Sequence, residues 1–234
     1  MEMLFPILVL IVIAVIVLAY YGYQAEKKRR EALRALADRW GMDWSEKDPL
    51  GIAGRYRYHG VLNEGDDRYA YNVFHGRRNG RETVCFDYHY ETHSTDSKGH
   101  RTTTHHHLSA ILVIPGANFP YLWVRPEGFL DRMGELVGID DIDFESAEFS
   151  RKFYVKSPDK KFAYDIFHPR AMEFMLSRPV RFSMEFKSPT VLVYDNRKWK
   201  PEDYEAALGL IEGLLELVPG FVWEERGGGK SPDS

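Results

Sequence analysis

Hydrophobic residues are concentrated at the start of the chain, where residues 3–23 carry no charged side chain. At 1.5 Å per residue, a helix of this length spans a hydrocarbon core of roughly 30 Å. Tyr20, Tyr21 and Tyr23 lie where interfacial aromatic residues are expected. A cleaved signal peptide is the alternative, but no positive charge precedes the run and no A-x-A site follows it. We therefore predict a transmembrane helix over residues 3–23, in contact with the lipid bilayer.

The charges that flank this segment predict its orientation. Glu2 is the only charged residue before it, whereas four basic residues follow: Lys27, Lys28, Arg29 and Arg30. Because positive residues stay on the cytoplasmic side, we expect the N-terminus outside and the remaining chain in the cytoplasm. The single cysteine, Cys85, fits a reducing compartment. The four basic residues are also candidates for contact with anionic lipid headgroups.

The next segment has a helical pattern. Leu33, Leu36, Ala37 and Trp40 form an apolar stripe at i, i+3, i+4 and i+7, and Gly41 follows it. This spacing predicts a basic, amphipathic juxtamembrane helix over residues 24–41, whose stripe packs either on the following domain or on a partner helix.

Alternating patterns then predict strands. Residues 54–62 alternate, and residues 68–91 read as two strands joined by a two-residue turn at Asn79-Gly80. If Arg78 faces Arg81 across this turn, Tyr71 faces Tyr88. One face of the hairpin is then aromatic throughout.

A third strand follows a polar loop and continues the apolar face with Leu108, Ala110, Leu112 and Ile114. Pairing Leu108 with Tyr88 keeps these side chains together. The opposite face then carries a polar group of side chains, which comprises His89, Glu91, His105 and His107.

The remaining pattern is mixed. Helices are predicted around residues 127–137, 160–177, with a break near Pro169, and 201–218, and a second hairpin lies between the last two. We predict an α+β domain over residues 42–223, in which helices pack on an antiparallel meander sheet, and a disordered tail over residues 224–234. A pleckstrin-like small barrel with a closing C-terminal helix is the alternative.

The polar face suggests two kinds of chemistry. Side chains directly opposite each other on adjacent strands have Cβ atoms about 4.5–5.5 Å apart, so two or three of His89, Glu91, His105 and His107 could bind Zn²⁺ and activate a water molecule. An exposed sheet face rich in Thr and His gives the same pattern, and no H-E-x-x-H motif is present. We predict an exposed face without a cofactor and keep zinc as the alternative.

Other classes of site have less support. The acidic stretch at 140–148 lacks the spacing of an EF-hand loop, and the glycines before Lys230 lack the first glycine of a phosphate-binding loop. The net charge of -4 gives no case for nucleic-acid binding.

Several short stretches occur in a recognisable order: Phe86-Asp87-Tyr88, Arg125-Pro126-Glu127-Gly128, Asp141-Ile142-Asp143-Phe144 and Glu148-Phe149. In this order the chain resembles an uncharacterised family of bacterial and archaeal single-pass membrane-anchored proteins with a domain of unknown function. The resemblance covers most of the chain after Arg30 and implies no catalytic residues.

Two functions are compatible with these patterns. The first is a membrane-tethered cytoplasmic binding or scaffold module without catalytic activity, which acts on an unknown protein partner. The second is a zinc-dependent hydrolase that uses the histidine-rich face. A concave pocket around the histidines would favour the enzyme, and an open face would favour the binding module.

Overall fold

The N-terminal apolar run and the juxtamembrane stripe form one uninterrupted helix, α1 (Leu4–Trp40). The computed structural model describes residues 4–128, 141–179 and 181–227. Within these ranges, α1 is the one helix that is long and apolar enough to cross a membrane. Its residues 7–23 are exposed, whereas Leu33, Leu36 and Ala37 are buried against the domain. The stripe therefore packs on the chain's own domain.

The domain is built on one eight-stranded sheet, all of whose neighbouring strands are antiparallel. The strands are β1 (Asp43–Lys47), β2 (Asp66–Arg78), β3 (Arg81–Thr95), β4 (Arg101–Ile114), β5 (Leu122–Pro126), β6 (Phe153–Lys156), β7 (Ser183–Lys187) and β8 (Thr190–Asp195). Their order is β1-β2-β3-β4-β8-β7-β5-β6. The sheet is open, with β1 and β6 at its edges, so the α+β prediction is confirmed and the barrel alternative is wrong. The meander is also incomplete, because β8 inserts beside β4.

The helices after α1 are short except for one. They are α2 (Ile52–Arg55), α3 (Ala147–Lys152), α4 (Lys160–Ile166), α5 (Pro169–Leu176), α6 (Pro201–Leu217) and α7 (Gly220–Glu225). The break predicted near Pro169 separates α4 from α5, and α6 begins at the predicted residue and ends one residue before the predicted end. Helix α3 was not predicted, because its six residues are too short to show a helical period.

Two predicted segments lie partly outside the described residues. Most of the helix predicted at 127–137 lies outside the described residues; Pro126, directly before it, ends β5 opposite Phe153. The predicted tail began at residue 224, but α7 extends to Glu225, and residues 228–234 lie outside the described residues.

The alternating stretch at 54–62 was predicted as a strand, and this prediction is wrong. The segment forms α2, a turn and a 3₁₀ turn at Gly60–Asn63. The Asp48 carboxylate starts the turn, because it accepts hydrogen bonds from the backbone N–H groups of Leu50 and Ile52. Val61 and Leu62 are still buried, because the compact segment covers one face of the sheet.

The sheet therefore has two covered faces. Helices α1 and α4–α7 pack on the face that carries Cys85 and Ile111, and the segment at 50–62 packs on the face that carries Phe86 and Tyr88. The helices do not cover the whole of their face of the sheet. Along β3, His89 is buried, Glu91 is half-buried and His93 is exposed. The candidate site lies at this end.

Candidate functional site

The pairing of β3 with β4 places the predicted polar side chains together. The pairs are those that the sequence predicted: Tyr88 with Leu108, His89 with His107 and Glu91 with His105. Because side chains alternate across a strand, the three histidines and the glutamate share one face.

The pairing of β2 with β3 departs from the prediction at a β-bulge. Arg78 faces Arg81 and Phe74 faces Cys85, as expected, but the register then shifts and Tyr71 faces Asp87 rather than Tyr88. Asn72 lies at the shift with a φ of 49°. Because a shift of one residue moves every later side chain to the other face, Tyr69 and Tyr71 lie on the histidine face.

A buried carboxylate, Asp87, lies where α1 crosses this face. Its side chain is 0% exposed and accepts a bidentate pair of hydrogen bonds from Arg29, with N···O distances of 2.7 and 2.8 Å. Asn72 donates from 2.8 Å, Tyr204 from 3.1 Å, and the Ser109 hydroxyl also donates. Both carboxylate oxygens are thus saturated, which removes much of the cost of burying the charge.

Arg29 joins helix α1 to this cluster. Its side chain is 13% exposed, and its Nε donates to the carbonyl of Trp199 at 2.7 Å. Burial alone would lower the pKa of Arg29, but the hydrogen bonds and charge of Asp87 raise it above the usual value. Burial and the negative charge of Asp87 raise the pKa of Tyr204 well above its usual value, so the phenol remains a donor.

The contact of Arg29 corrects one expectation. Arg29 was a candidate for binding lipid headgroups, but its guanidinium is committed to Asp87. Arg30 lies 3.1 Å from Glu46 in an exposed ion pair, while Lys27 and Lys28 are exposed.

The histidine cluster begins one alternation beyond Asp87. His105 Nδ1 lies 2.9 Å from Glu91 Oε1 and 3.3 Å from His89 Nε2. One ligand atom from each of these three residues lies within 4.8 Å of the others. His89 is 5% exposed and stacks on Tyr69, with ring centroids 4.7 Å apart. The sequence predicted an exposed face. The face is instead buried at His89 and exposed at His105.

His107, the fourth predicted ligand, points to a different partner. Its Nδ1 lies 3.2 Å from the Tyr71 hydroxyl. Burial and the nearby charge of Lys198 lower the pKa of His107. Burial and the charge of Asp87 raise the pKa of Tyr71. The pair is therefore a neutral phenol and a neutral imidazole at neutral pH.

A second polar pair was missed by the sequence analysis. His59 and Glu185 are each 0% exposed; His59 Nδ1 lies 3.2 Å from Glu185 Oε2, out of line for a hydrogen bond, and Nε2 lies 2.8 Å from Thr190 Oγ1. A carboxylate, a histidine and a hydroxyl in this order resemble the Asp-His-Ser triad of hydrolases. No substrate can reach it, because Thr190 is 1% exposed. We therefore assign it to the packing of the 50–62 segment.

Other reactive groups lie in unreactive surroundings. Cys85 is fully buried, which raises the pKa of its thiol well above the usual value. In the acidic stretch, Asp141 accepts from the backbone N–H groups of Ile142 and Val155 and so serves as a structural bridge. A cavity of 420 Å³ beside this stretch is lined by Phe144, Tyr164 and their neighbours, and not by the histidine cluster.

Comparison with known proteins identifies a similar fold. No protein-family model matches the chain, and no curated protein matches it. Among solved structures, the chain is similar to the crystal structure of the mycobacterial trehalose monomycolate transport factor A, TtfA, with a TM-score of 0.60 and 16% sequence identity. The match covers 81% of this chain and 96% of that chain. At this identity the likeness shows a shared fold, and the resemblance to the membrane-anchored family stays a prediction.

Proposed function

We propose that this protein is a membrane-tethered cytoplasmic binding module without catalytic activity, which presents the histidine-bearing end of its sheet to a protein partner at the membrane. The observation that carries the proposal is the buried contact of Arg29 with Asp87. It joins the helix that would cross the bilayer directly to the sheet, so that the domain cannot swing freely on its anchor.

The direction of α1 supports a position of this face near the bilayer. The helix crosses the sheet from Asp87, which it contacts through Arg29, towards Phe74, whose ring centroid lies 6.0 Å from that of Trp40. Followed the other way, towards its apolar segment, it reaches Glu26, which lies 3.2 Å from Lys198 Nζ. That ammonium lies 5.7 Å from the ring centroid of Tyr71, on the histidine face. Tyr23, the last residue of the apolar segment, lies about 9 Å along the helix axis from Arg29.

Lipid contact by basic residues is proposed for a smaller set than the sequence indicated. Lys27 and Lys28 are exposed and lie within five residues of the end of the apolar segment, so we assign contact with anionic headgroups to them, at roughly 1 kcal/mol each. The positive charges also support an outside N-terminus.

The structural neighbour supports an accessory role. TtfA is described as a trehalose monomycolate transport factor, a description that names transport and no catalysed reaction. The open setting of the histidine face agrees with this role, because a hydrolytic site is expected in a concave pocket. We therefore propose a partner embedded in the same membrane.

Orientation and tethering can be tested with single cysteines. The wild-type chain is the background control, since Cys85 is fully buried. A membrane-impermeant maleimide should label Glu2→Cys in intact cells and Thr103→Cys only after permeabilisation. The reverse pattern would contradict the orientation, and release of the chain from carbonate-washed membranes would contradict the tether.

The binding surface can be tested by photo-crosslinking in native membranes. A photoreactive residue at exposed position Thr103, on the histidine side of β4, should give a defined crosslink to an integral membrane protein. The same residue at exposed Lys160, at the start of α4, is the matched control and should give none. The absence of a product from Thr103, or equal products from both positions, would count against the proposal.

A further inference from the structure

We infer that His89, Glu91 and His105 form a zinc-binding site on this protein. The three side chains come from adjacent strands and converge on the uncovered end of the helix-packed face. The inference does not depend on the proposed function, because a zinc site at this position is compatible with a binding module.

The distances fit the coordination of zinc. Zn²⁺ binds histidine nitrogen and carboxylate oxygen at about 2.0–2.2 Å in tetrahedral geometry, so two ligand atoms on one ion lie roughly 3.3 Å apart. His105 Nδ1 lies 3.3 Å from His89 Nε2 and 2.9 Å from Glu91 Oε1. All three ligand atoms lie within 4.8 Å of one another, so small side-chain rotations bring them onto one ion.

The histidine cluster contains fewer N–H donors than hydrogen-bond acceptors. His89 Nδ1 lies 3.3 Å from the carbonyl oxygen of Asp67, which can only accept, so this nitrogen carries a proton and Nε2 is the ring nitrogen left to bind a metal. Glu91 also accepts only. An N–H at His105 Nδ1 therefore faces two acceptors, His89 Nε2 and Glu91 Oε1. With the His105 proton on Nε2 instead, all three facing atoms carry lone pairs and can bind one cation.

The surroundings hold the ligands in place. The bond to a backbone carbonyl is the outer-shell contact that fixes the tautomer of metal-binding histidines. Stacking on Tyr69 fixes the plane of the His89 ring. The His105 side chain is 60% exposed, which leaves a solvent-facing position for a water molecule as the fourth ligand.

The site lies where the β3–β4 ribbon leaves the sheet. The pairing of β2 with β3 ends at Asp66 and Glu91, and the pairing of β8 with β4 starts at Ser109. Beyond this point the two strands pair with each other alone. A zinc ion held by His89 and Glu91 on β3 and by His105 on β4 would cross-link the base of the ribbon and restrict its motion.

The test is zinc binding by the full chain in detergent micelles, with a polyhistidine-free purification and a competing chelator of known affinity. We expect one Zn²⁺ per chain at micromolar affinity or better, and slower hydrogen exchange at residues 92–104 when zinc is bound. His105→Ala removes a ligand and should weaken binding about 100-fold or more, and Glu91→Gln should weaken it at least about 10-fold.

His106→Ala is the matched control, because His106 stacks on Tyr90 on the other face of the sheet. It should bind zinc within about threefold of wild type. Since His105 is largely exposed, its variant should fold, and circular dichroism checks this. Zinc binding that is absent from the wild type, or equal in His105→Ala and wild type, or lost in His106→Ala to the same extent, would overturn the inference.

Discussion

Replacement of Arg29 by methionine tests whether helix α1 is joined to the domain by one buried ion pair. Arg29→Met keeps much of the aliphatic length and leaves the Asp87 carboxylate, 0% exposed, without its counter-charge. Breaking a buried pair from one side typically costs about 3–5 kcal/mol. Three neutral donors, from Asn72, Ser109 and Tyr204, stay in place, so we expect the lower end, about 3 kcal/mol. Against a total stability of typically 5–15 kcal/mol, this loss is large.

The assay is urea unfolding of the full chain in detergent micelles, followed by tryptophan fluorescence. Trp199 is a direct reporter, because its carbonyl accepts from Arg29 and its side chain is fully buried. Arg30→Met is the matched control, since Arg30 forms an exposed pair with Glu46 and should cost at most about 1 kcal/mol. A double variant, Arg29→Met/Asp87→Asn, should lose less than the sum of the single losses, by roughly 1–3 kcal/mol.

Equal losses of stability in Arg29→Met and Arg30→Met would refute a stabilising buried pair between Arg29 and Asp87. Equality would mean that solvent or the other donors stabilise the Asp87 carboxylate as well as Arg29 does. An additive double variant would likewise show that Arg29 and Asp87 do not act as a pair.

Three further changes test other contacts of the domain, each by the midpoint of urea unfolding. Asn72→Ala should lose about 2–3 kcal/mol, because alanine is strained in the left-handed backbone conformation of this position and because a donor to the buried Asp87 carboxylate is removed. Asn79→Ala, at a left-handed position in an exposed turn, should lose only about 1 kcal/mol. Equal losses would argue against the buried hydrogen bond. Gly213→Ala should cost about 1–3 kcal/mol, because its Cβ would lie 2.5 Å from an aromatic ring atom of α5, whereas Gly209→Ala, with open space, should be neutral or stabilising; the opposite order would be inconsistent with this packing. Burial alone would raise the pKa of Asp203, but a backbone hydrogen bond and two arginines lower it. The Asp203 carboxylate therefore stabilises the folded protein above its pKa in the unfolded chain, about 3.9, and this stabilisation is lost as pH falls through its pKa in the folded protein. Asp203→Asn should cost about 1 kcal/mol at pH 7 and flatten the stability profile in that acid range, and an unchanged profile would exclude this role.

The local patterns of the sequence predicted much of this protein. The uncharged run at 3–23, the stripe at Leu33 and Leu36 and the alternation of β3 and β4 depend on neighbours along the chain or across one hairpin. Because side chains alternate strictly, the pairing of Leu108 with Tyr88 was enough to bring His89, Glu91 and His105 to one face.

Only the tertiary structure determined which of these side chains contact each other. The basic residues after the apolar run look equivalent in sequence, yet Arg29 alone among them lies over Asp87, because the helical period turns its side chain towards the sheet. A single left-handed residue, Asn72, moved Tyr69 and Tyr71 to the histidine face, and no local propensity distinguishes such a bulge from a continuous strand. These contacts join residues 58 positions apart or cross a register shift, so only the packed fold could reveal them.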